Sequence, residues 1–201
     1  MVFTEYEYEV LRAMTFRPDY KGFRPDVYEA PNRDGKLDVG KLYSHISPVY
    51  EHPNVQAKQY LDEACRRVNA LACGLADALG VPQEFWPDVN MSAIRVLYYP
   101  ENTPGVEHTD VDLFTISLFR DPAEAFYTES NSFFQWGELG TILGFGPATK
   151  HGVHPTPGPQ RSIVYAANAP DEAFLPNGQT AGDWLRESIK AQRIRVDSVQ
   201  T

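Results

Sequence analysis

The spacing of hydrophobic positions divides the chain into a helical part followed by a longer strand-rich part. Between residues 54 and 79 apolar side chains recur every three or four positions, and Gly80 follows as a stop signal, which predicts one long amphipathic helix. A short second helix is predicted to begin at Pro82. From residue 91 to about 170, short apolar runs alternate with turns rich in Gly and Pro. That alternation predicts a β-sandwich or a β-barrel.

The two ends of the chain have different patterns. Residues 1–50 are rich in Tyr, Pro, Asp and Arg, with short strand-like pieces and many turn signals, so we expect largely irregular structure there. Three aromatic residues should pack this segment against the core: Phe16, Phe23 and Tyr43. Residues 181–194 place apolar side chains on one face at helical spacing, which predicts an exposed amphipathic helix.

The length and charge of the chain limit its class. We expect 201 residues to form a single domain, with a supporting segment (1–90), a β core (91–170) and a C-terminal helix and tail (171–201). The net charge of −9 argues against nucleic acid or an anionic membrane as a partner. No apolar run is as long as a membrane span, and the N-terminus lacks the pattern of a signal peptide, so a cytoplasmic location is expected.

The two cysteines do not suggest a chemical site. Cys65 and Cys73 fall within one predicted helix. A separation of eight helical residues corresponds to roughly 12 Å of rise, which is too far for a disulfide bond. We therefore expect both thiols to fill the core rather than to bind a metal or act as nucleophiles.

The chemistry is concentrated in the strand-rich part, where His108 and Asp110 are followed some forty residues later by a second histidine. Residues two apart on a strand point to the same face. Two histidines and one carboxylate form a facial triad that leaves adjacent coordination positions open, which suits a non-haem Fe(II) oxygenase. Because a lone His-x-Asp is common by chance, the interpretation depends on the later histidine.

Two histidines, His151 and His154, compete to be that later ligand. In a regular strand they face opposite sides, so at most one of them can face a metal without distortion. His154 abuts Pro155 and a turn, where strand geometry is ending. We therefore favour His151 as the ligand and expect His154 to lie at the rim of the site or to support it by a hydrogen bond.

Two arginines are candidates for binding an anion near this site. Arg161 begins the last apolar run and could point into the barrel, where its planar fork of donors would hold a carboxylate. Arg95 competes for the same task, since it also lies on a strand that enters the core. The alternative for Arg161 is an outward side chain paired with a surface acid.

Taken together, these motifs resemble the iron(II)/2-oxoglutarate-dependent dioxygenase superfamily, and within it the isopenicillin N synthase-like branch. The family pattern runs from a strand ending in Tyr-Pro, through a glycine turn, to His-Thr-Asp and an apolar strand, and then to His-x-Val and an arginine about ten residues on. The corresponding segments here are RVLYYP (95–100), Gly105, HTD (108–110), the apolar run 113–118, the Gly-rich run 140–146, HGV (151–153) and Arg161.

The resemblance implies a mainly β fold: a double-stranded β-helix (jelly-roll or cupin-like) core, an N-terminal helix packed on it and a short C-terminal helix. It implies Fe(II), 2-oxoglutarate and O2 as cofactors, with His108, Asp110 and His151 as iron ligands. Arg161 would bind the distal carboxylate of 2-oxoglutarate, with Tyr99 as a hydrogen-bond donor. The family also places a serine two residues after the arginine. Here that position is Ile163, and strand alternation from Arg161 would turn Ser162 outward.

The resemblance implies oxidation of a small molecule by hydroxylation, desaturation or cyclisation. An oxidase that works without 2-oxoglutarate is one alternative, because the serine is missing, and a metal-binding cupin-like protein without turnover is another. Phe134 and Trp136 could line a substrate pocket, or could simply pack the sandwich. Arg95 is a further candidate for contact with substrate.

Overall fold

The computed structural model describes residues 2–24, 41–120, 126–128, 134–136, 141–144 and 149–199. Within these ranges the chain forms three α-helices: α1 (Glu5–Thr15), α2 (Val55–Ala78) and α3 (Ala181–Val199). A 3₁₀ turn spans Gln83–Phe85. The strands, in chain order, are β1 (Phe23–Arg24), β2 (Leu42–Ile46), β3 (Ala93–Tyr99), β4 (Gly105–His108), β5 (Phe114–Arg120), β6 (Phe126–Thr128), β7 (Phe134–Trp136), β8 (Thr141–Gly144), β9 (His151–Val153) and β10 (Gln160–Ala167).

The strands form two antiparallel sheets. The larger sheet has the strand order β1-β2-β3-β10-β5-β8-β7, and the smaller has the order β4-β9-β6. The prediction of a mainly β fold with a long preceding helix and a terminal helix is therefore confirmed. No helix within the described ranges has both the length and the hydropathy that crossing a membrane would require.

Helix α2 begins and ends where the hydrophobic pattern predicted. The side chain of Asn54 caps it by accepting a hydrogen bond from the backbone N–H of Ala57 at 2.9 Å. Gly80 follows with φ = 72°, a conformation that favours glycine at a helix end. The segment after Pro82 forms only the short 3₁₀ turn rather than a second α-helix.

The N-terminal segment is more regular than expected, and the prediction of irregular structure over residues 1–50 is wrong for helix α1, whereas strand β2 agrees with the short strand-like pieces expected there. Thr4 and Glu7 form a capping box, in which each side chain bonds the other residue's backbone N–H. Strand β2 pairs antiparallel with β3 along its whole length. The predicted aromatic packing is confirmed, since Phe16 and Phe23 contact the main core and Tyr43 is buried. Residues 25–40 lie outside the described part.

Strand β10 of the larger sheet packs against a different cluster on each of its two faces. Ile163 and Tyr165 join the core formed with helices α1 and α2. Val164 joins a second cluster on the opposite face, together with Leu97 and Tyr99 of β3, Tyr43 of β2 and Val153 of the smaller sheet. We call this opposite face the inner face. The two sheets pack together across it, and the candidate site lies beside this cluster.

Candidate metal centre

The structure brings His108, Asp110 and His151 together. His108 is the last residue of β4 and His151 the first of β9, and these two residues are paired in the smaller sheet. One ligand atom from each of the three side chains lies within 4.8 Å of the others. We expected Asp110 to lie on the same strand as His108, and this is wrong. Strand β4 ends at His108, and Asp110 lies in the loop before β5.

The carboxylate of Asp110 is the buried member of this cluster, with 7% of the residue exposed. Its Oδ1 lies 3.5 Å from Nε2 of His108, and its Oδ2 lies 3.8 Å from Nε2 of His151. Burial alone would raise the pKa of Asp110, but the hydrogen bond from His108 and the positive charge of Arg95 outweigh it. The net result is a pKa well below the usual range, so Asp110 is an anion at neutral pH.

The imidazole of His151 is neutral. Burial lowers its pKa to about 4, and the neighbouring His108 and Lys41 add to this effect. Its Nδ1 lies 3.1 Å from the carbonyl oxygen of Thr149, so Nδ1–H donates to that oxygen in the neutral ring. The lone pair is then on Nε2, which faces Asp110. His154 does not join the cluster; its ring stacks on Tyr127 with 4.4 Å between centroids.

Further polar groups fix the carboxylate of Asp110. The Thr115 hydroxyl donates to Oδ2, and Nη1 of Arg95 lies 3.4 Å from Oδ1. Nη2 of Arg95 bonds Oδ2 of Asp112 at 2.5 Å, and the Asn168 amide donates to the other Asp112 oxygen at 3.1 Å. Arg95, a candidate for binding substrate, is thus engaged with two carboxylates of the protein. The sequence reasoning missed Asp112, although its spacing of two from Asp110 was a usable signal.

Arg161 points away from the cluster, so its predicted inward direction is wrong. Its Nη1 lies 2.5 Å from Oε1 of Glu5 and 3.7 Å from Oε1 of Glu9, both on helix α1. It alternates along β10 with Gln160 and Ser162, which are each only 2% exposed. Ser162 shares the inner face with Val164, so the expectation that it faces outward is also wrong. The prediction assigned Arg161 to the inner face, whereas the strand begins at Gln160 and places Gln160 and Ser162 there. A shift of one residue exchanges the two faces of a strand.

Gln160 therefore occupies the inner-face position two residues before the serine, where the family pattern has its arginine. The amide of Gln160 donates to the carbonyl oxygen of His154 at 3.0 Å and to the hydroxyl of Thr156 at 2.8 Å. Its Oε1 is buried and has no hydrogen-bond partner among the described residues. A glutamine provides no positive charge for a carboxylate.

The inner face does hold a cation, which the sequence reasoning missed. Lys41 lies directly before β2 and is 6% exposed, and its Nζ is 5.1 Å from the centroid of the Tyr99 ring. Tyr99, the predicted hydrogen-bond donor, is itself buried. A signal was available, since Lys41 and Tyr43 are two apart on a strand whose other residues are mostly apolar. The side chains of Phe134 and Trp136 lie outside the described part of the chain.

Comparisons with solved structures give the same fold. A full-length protein from Neurospora crassa, in complex with alpha-KG, superposes with a TM-score of 0.56 at 16% identity, over 90% of this chain and 78% of that one. A protein from Shewanella oneidensis proposed to be an oxygenase gives 0.52 at 18% identity, over 89% and 77%. JOX2 in complex with 2OG, Fe and JA gives 0.50 at 14% identity, over 98% and 73%.

The chain therefore shares its fold with these solved proteins, one of which holds alpha-KG and another 2OG and Fe. These similarities do not single out the isopenicillin N synthase-like branch. No protein-family model matches the sequence, and no curated protein matches it significantly.

Proposed function

We propose that this protein is a non-haem Fe(II)- and 2-oxoglutarate-dependent oxygenase that oxidises a small molecule with O2. The observation that carries the proposal is the cluster of His108, Asp110 and His151, whose ligand atoms converge within 4.8 Å in a chain with an oxygenase fold. The same proposal takes residues 1–201 as one oxygenase domain and the two sheets as a double-stranded β-helix.

The donor set fits iron(II). Two imidazoles and one carboxylate satisfy a borderline divalent metal and leave three adjacent positions open. The protein prepares these donors in advance, because Asp110 is ionised and His151 is neutral with its Nδ1–H held by Thr149. Arg95 and Thr115 fix the Asp110 carboxylate by contacts that leave the imidazoles untouched.

Bound iron and 2-oxoglutarate would supply the oxidising power, with 2-oxoglutarate converted to succinate and CO2 as the substrate is oxidised. The chain itself positions the reactants and excludes water. Val153, Leu97 and Val164 give the inner face beside the triad an apolar lining. Such a lining protects a reactive centre from solvent. Hydroxylation, desaturation and cyclisation differ only in the fate of the substrate, for which we favour a small metabolite with a carboxylate or an amine.

The direct test is spectroscopic and needs no substrate. Under anaerobic conditions the protein with Fe(II) and 2-oxoglutarate should show a weak visible metal-to-ligand charge-transfer band. We expect His151→Ala to lose this band and His154→Ala to keep it, because only His151 lies in the cluster. A band that survives His151→Ala and disappears in His154→Ala would show that the distal ligand is wrong. A wild-type protein that binds iron but shows no band would contradict the use of 2-oxoglutarate.

A second candidate is an Fe(II) oxidase that uses O2 without 2-oxoglutarate. The observation in its favour is that Arg161 pairs with helix α1 while the uncharged Gln160 occupies the inner face. Formation of one succinate per substrate oxidised would exclude it. A binding protein without turnover would also hold metal through the triad, and would form no product with any substrate that shifts the charge-transfer band.

A further inference from the structure

Both arginines that the sequence offers for the distal carboxylate of 2-oxoglutarate are directed to carboxylates of the protein itself. Strand β10 turns Arg161 toward Glu5 and Glu9 and presents Gln160 to the inner face instead. Arg95 is engaged by Asp110 and Asp112. Under the proposed function, the distal carboxylate therefore needs a cation other than these two arginines, and we look for it among the described residues of the inner face.

Lys41 occupies the place from which a cation can reach the same space. Leu42 pairs with Tyr98 in the register of β2 and β3, so the preceding Lys41 lies across from Tyr99. Residues opposite one another in an antiparallel pair share a face, which puts Lys41 on the inner face with Tyr99. Its ammonium group lies 5.1 Å from the centroid of the Tyr99 ring, at a distance typical of a cation–π contact.

The position of Lys41 also suits a ligand that chelates the metal. Tyr99, whose ring the ammonium group contacts, packs in one buried cluster with Val153, and Val153 lies two residues from His151 on β9. Because the ammonium group of Lys41 is already withdrawn from water, a carboxylate that binds it adds little desolvation of the lysine and gains a charge-assisted hydrogen bond.

Two buried polar atoms belong to residues that pair with Tyr99 and with His151, respectively, in the two sheets. The hydroxyl oxygen of Thr128 and Oε1 of Gln160 have no hydrogen-bond partner among the described residues. Thr128 pairs with His151 in the smaller sheet and so faces the same side as that ligand. Its hydroxyl can donate to a carboxylate, whereas Oε1 of Gln160 can accept from an ammonium group or a water. Buried groups of this kind normally have partners, which points to a polar ligand in this space.

We propose that Lys41 binds the distal carboxylate of 2-oxoglutarate, in place of an arginine on strand β10. The inference rests on the proposed function, because it assumes that 2-oxoglutarate chelates a metal held by the triad. It assigns Lys41 to the cofactor site and assigns Arg161 to the attachment of helix α1.

The test compares two 2-oxo acids that differ only at the distal end. 2-Oxoglutarate carries the distal carboxylate, and 2-oxopentanoate carries a methyl group in its place. Their dissociation constants are measured by calorimetry on the Mn(II)-loaded protein, for the wild type, Lys41→Met, Lys41→Arg and Arg161→Met. Melting temperature and Mn(II) affinity are measured for each variant, so that loss of fold or of metal is seen separately.

We expect wild-type protein to bind 2-oxoglutarate at least tenfold more tightly than 2-oxopentanoate. Lys41→Met should weaken 2-oxoglutarate about 10- to 100-fold, as expected for loss of a charged hydrogen bond, and should leave 2-oxopentanoate unchanged. Lys41→Arg should restore most of the affinity. Arg161→Met should bind 2-oxoglutarate as the wild type does.

Failure of this inference can be distinguished from failure of the proposed function. A wild-type protein that binds Mn(II) but neither acid would overturn both. If the wild type prefers 2-oxoglutarate and Lys41→Met keeps that preference, or Arg161→Met loses it, only the assignment of Lys41 is wrong. Equal weakening of both acids by Lys41→Met would indicate a structural role and also overturn it. If Lys41→Met does not fold, the wild type and Lys41→Arg decide. The assignment is contradicted if the wild type does not prefer 2-oxoglutarate to 2-oxopentanoate. It is also contradicted if Lys41→Arg loses most of the affinity for 2-oxoglutarate.

Discussion

Arg95 holds two buried carboxylates at once, and its two terminal nitrogens are divided between them. Nη1 lies 3.4 Å from Asp110 and Nη2 lies 2.5 Å from Asp112. Burial raises the pKa of Asp112, with the neighbouring Asp110 adding to the rise and Arg95 opposing it. One guanidinium thus helps to keep the carboxylate of the proposed metal site ionised and also compensates Asp112, which lies outside the proposed ligand set.

Replacing Arg95 should therefore cost more than replacing a surface arginine. We expect Arg95→Met to lower the free energy of unfolding of the metal-free protein by about 3–5 kcal/mol, because it leaves buried carboxylates without their cation. Arg67→Met is the matched control; Arg67 pairs with Glu7 near the surface, and its loss should cost no more than about 1 kcal/mol. Urea unfolding at pH 7 measures both, and equal costs would contradict a structural role for Arg95.

The two cysteines should differ in reactivity although they share a helix. Burial raises the pKa of Cys65 to about 12, and burial also raises that of Cys73, which is less enclosed. At pH 8 we expect a thiol reagent to modify Cys73 first and Cys65 only at the rate of unfolding. Cys73→Ser should remove the faster phase. A fast phase that persists in Cys73→Ser would show that Cys65 is accessible.

The raised pKa of Cys65 also fixes a direction of pH dependence. The unfolded thiol ionises near pH 9 and the folded one near 12, so the unfolded state releases its proton first. The contribution of Cys65 to stability is therefore complete below pH 9 and is lost as the pH rises toward 12. Cys65→Ala should flatten the fall in stability across this window in urea titrations, and an unchanged slope would contradict it.

For single residues, the sequence predicts which side chains form the candidate metal site better than it predicts the direction in which a side chain points. The triad could be predicted because its residue types are rare in combination and the β4–β9 pairing needed only an antiparallel arrangement. The direction of Arg161 could not, since it depends on where β10 begins after a segment with three prolines. A shift of one residue exchanges Gln160 and Arg161 between the two faces. Lys41 was missed because its partners come from other strands.

Among the structural elements, β4 and β9 carry the two histidine ligands and approach one another closely at Gly105. A Cβ built at Gly105 would lie 2.9 Å from Cβ of Val153 and 3.0 Å from a ring carbon of Tyr99. Val153 is two residues from His151 on the same strand. The small size of Gly105 therefore determines how far apart the strands that bear the two imidazoles lie.

Gly105→Ala should consequently weaken metal binding without touching a ligand. The new methyl group must push β9 away from β4, and ligand geometry has to hold within about 0.5 Å to preserve a site. We expect the Mn(II) affinity to fall at least tenfold by calorimetry. Gly74→Ala is the control, because its Cβ would meet nothing within 4 Å on helix α2. That variant should keep its affinity and gain about 0.5–1 kcal/mol in stability. Unchanged affinity in Gly105→Ala would contradict the close approach.

The helices show why some elements could be predicted from the sequence and others not. Helix α2 spans 24 residues with a continuous apolar stripe, so its period is unmistakable. Helix α1 has only 11 residues, of which Tyr8, Leu11 and Thr15 are buried. So few buried positions give only a weak helical periodicity in the hydrophobic pattern. The capping box at Thr4 and Glu7 was the stronger indication of a helix start.

In the whole molecule, the site joins segments that are distant in the chain. His108 ends β4 and Asp110 follows that strand, His151 begins β9, and Arg95, which binds Asp110, comes from β3 of the larger sheet. The ligand set forms only when the smaller sheet pairs and packs against the larger one. A metal ion that binds this set therefore binds the folded state and hardly the unfolded chain, so binding must add to stability.

Addition of metal should raise the melting temperature in a way that depends on the triad alone. At a free Mn(II) concentration 100 times the dissociation constant, linkage gives about 2.7 kcal/mol. For a chain of this size that corresponds to a rise of roughly 5–11 °C. Asp110→Asn should lose this rise, while Asp112→Asn, which alters the other carboxylate held by Arg95, should retain it. Calorimetric melting with and without Mn(II) measures the difference; an equal rise in Asp110→Asn would mean that the metal binds elsewhere, because a site that lacks its only carboxylate cannot keep the same affinity.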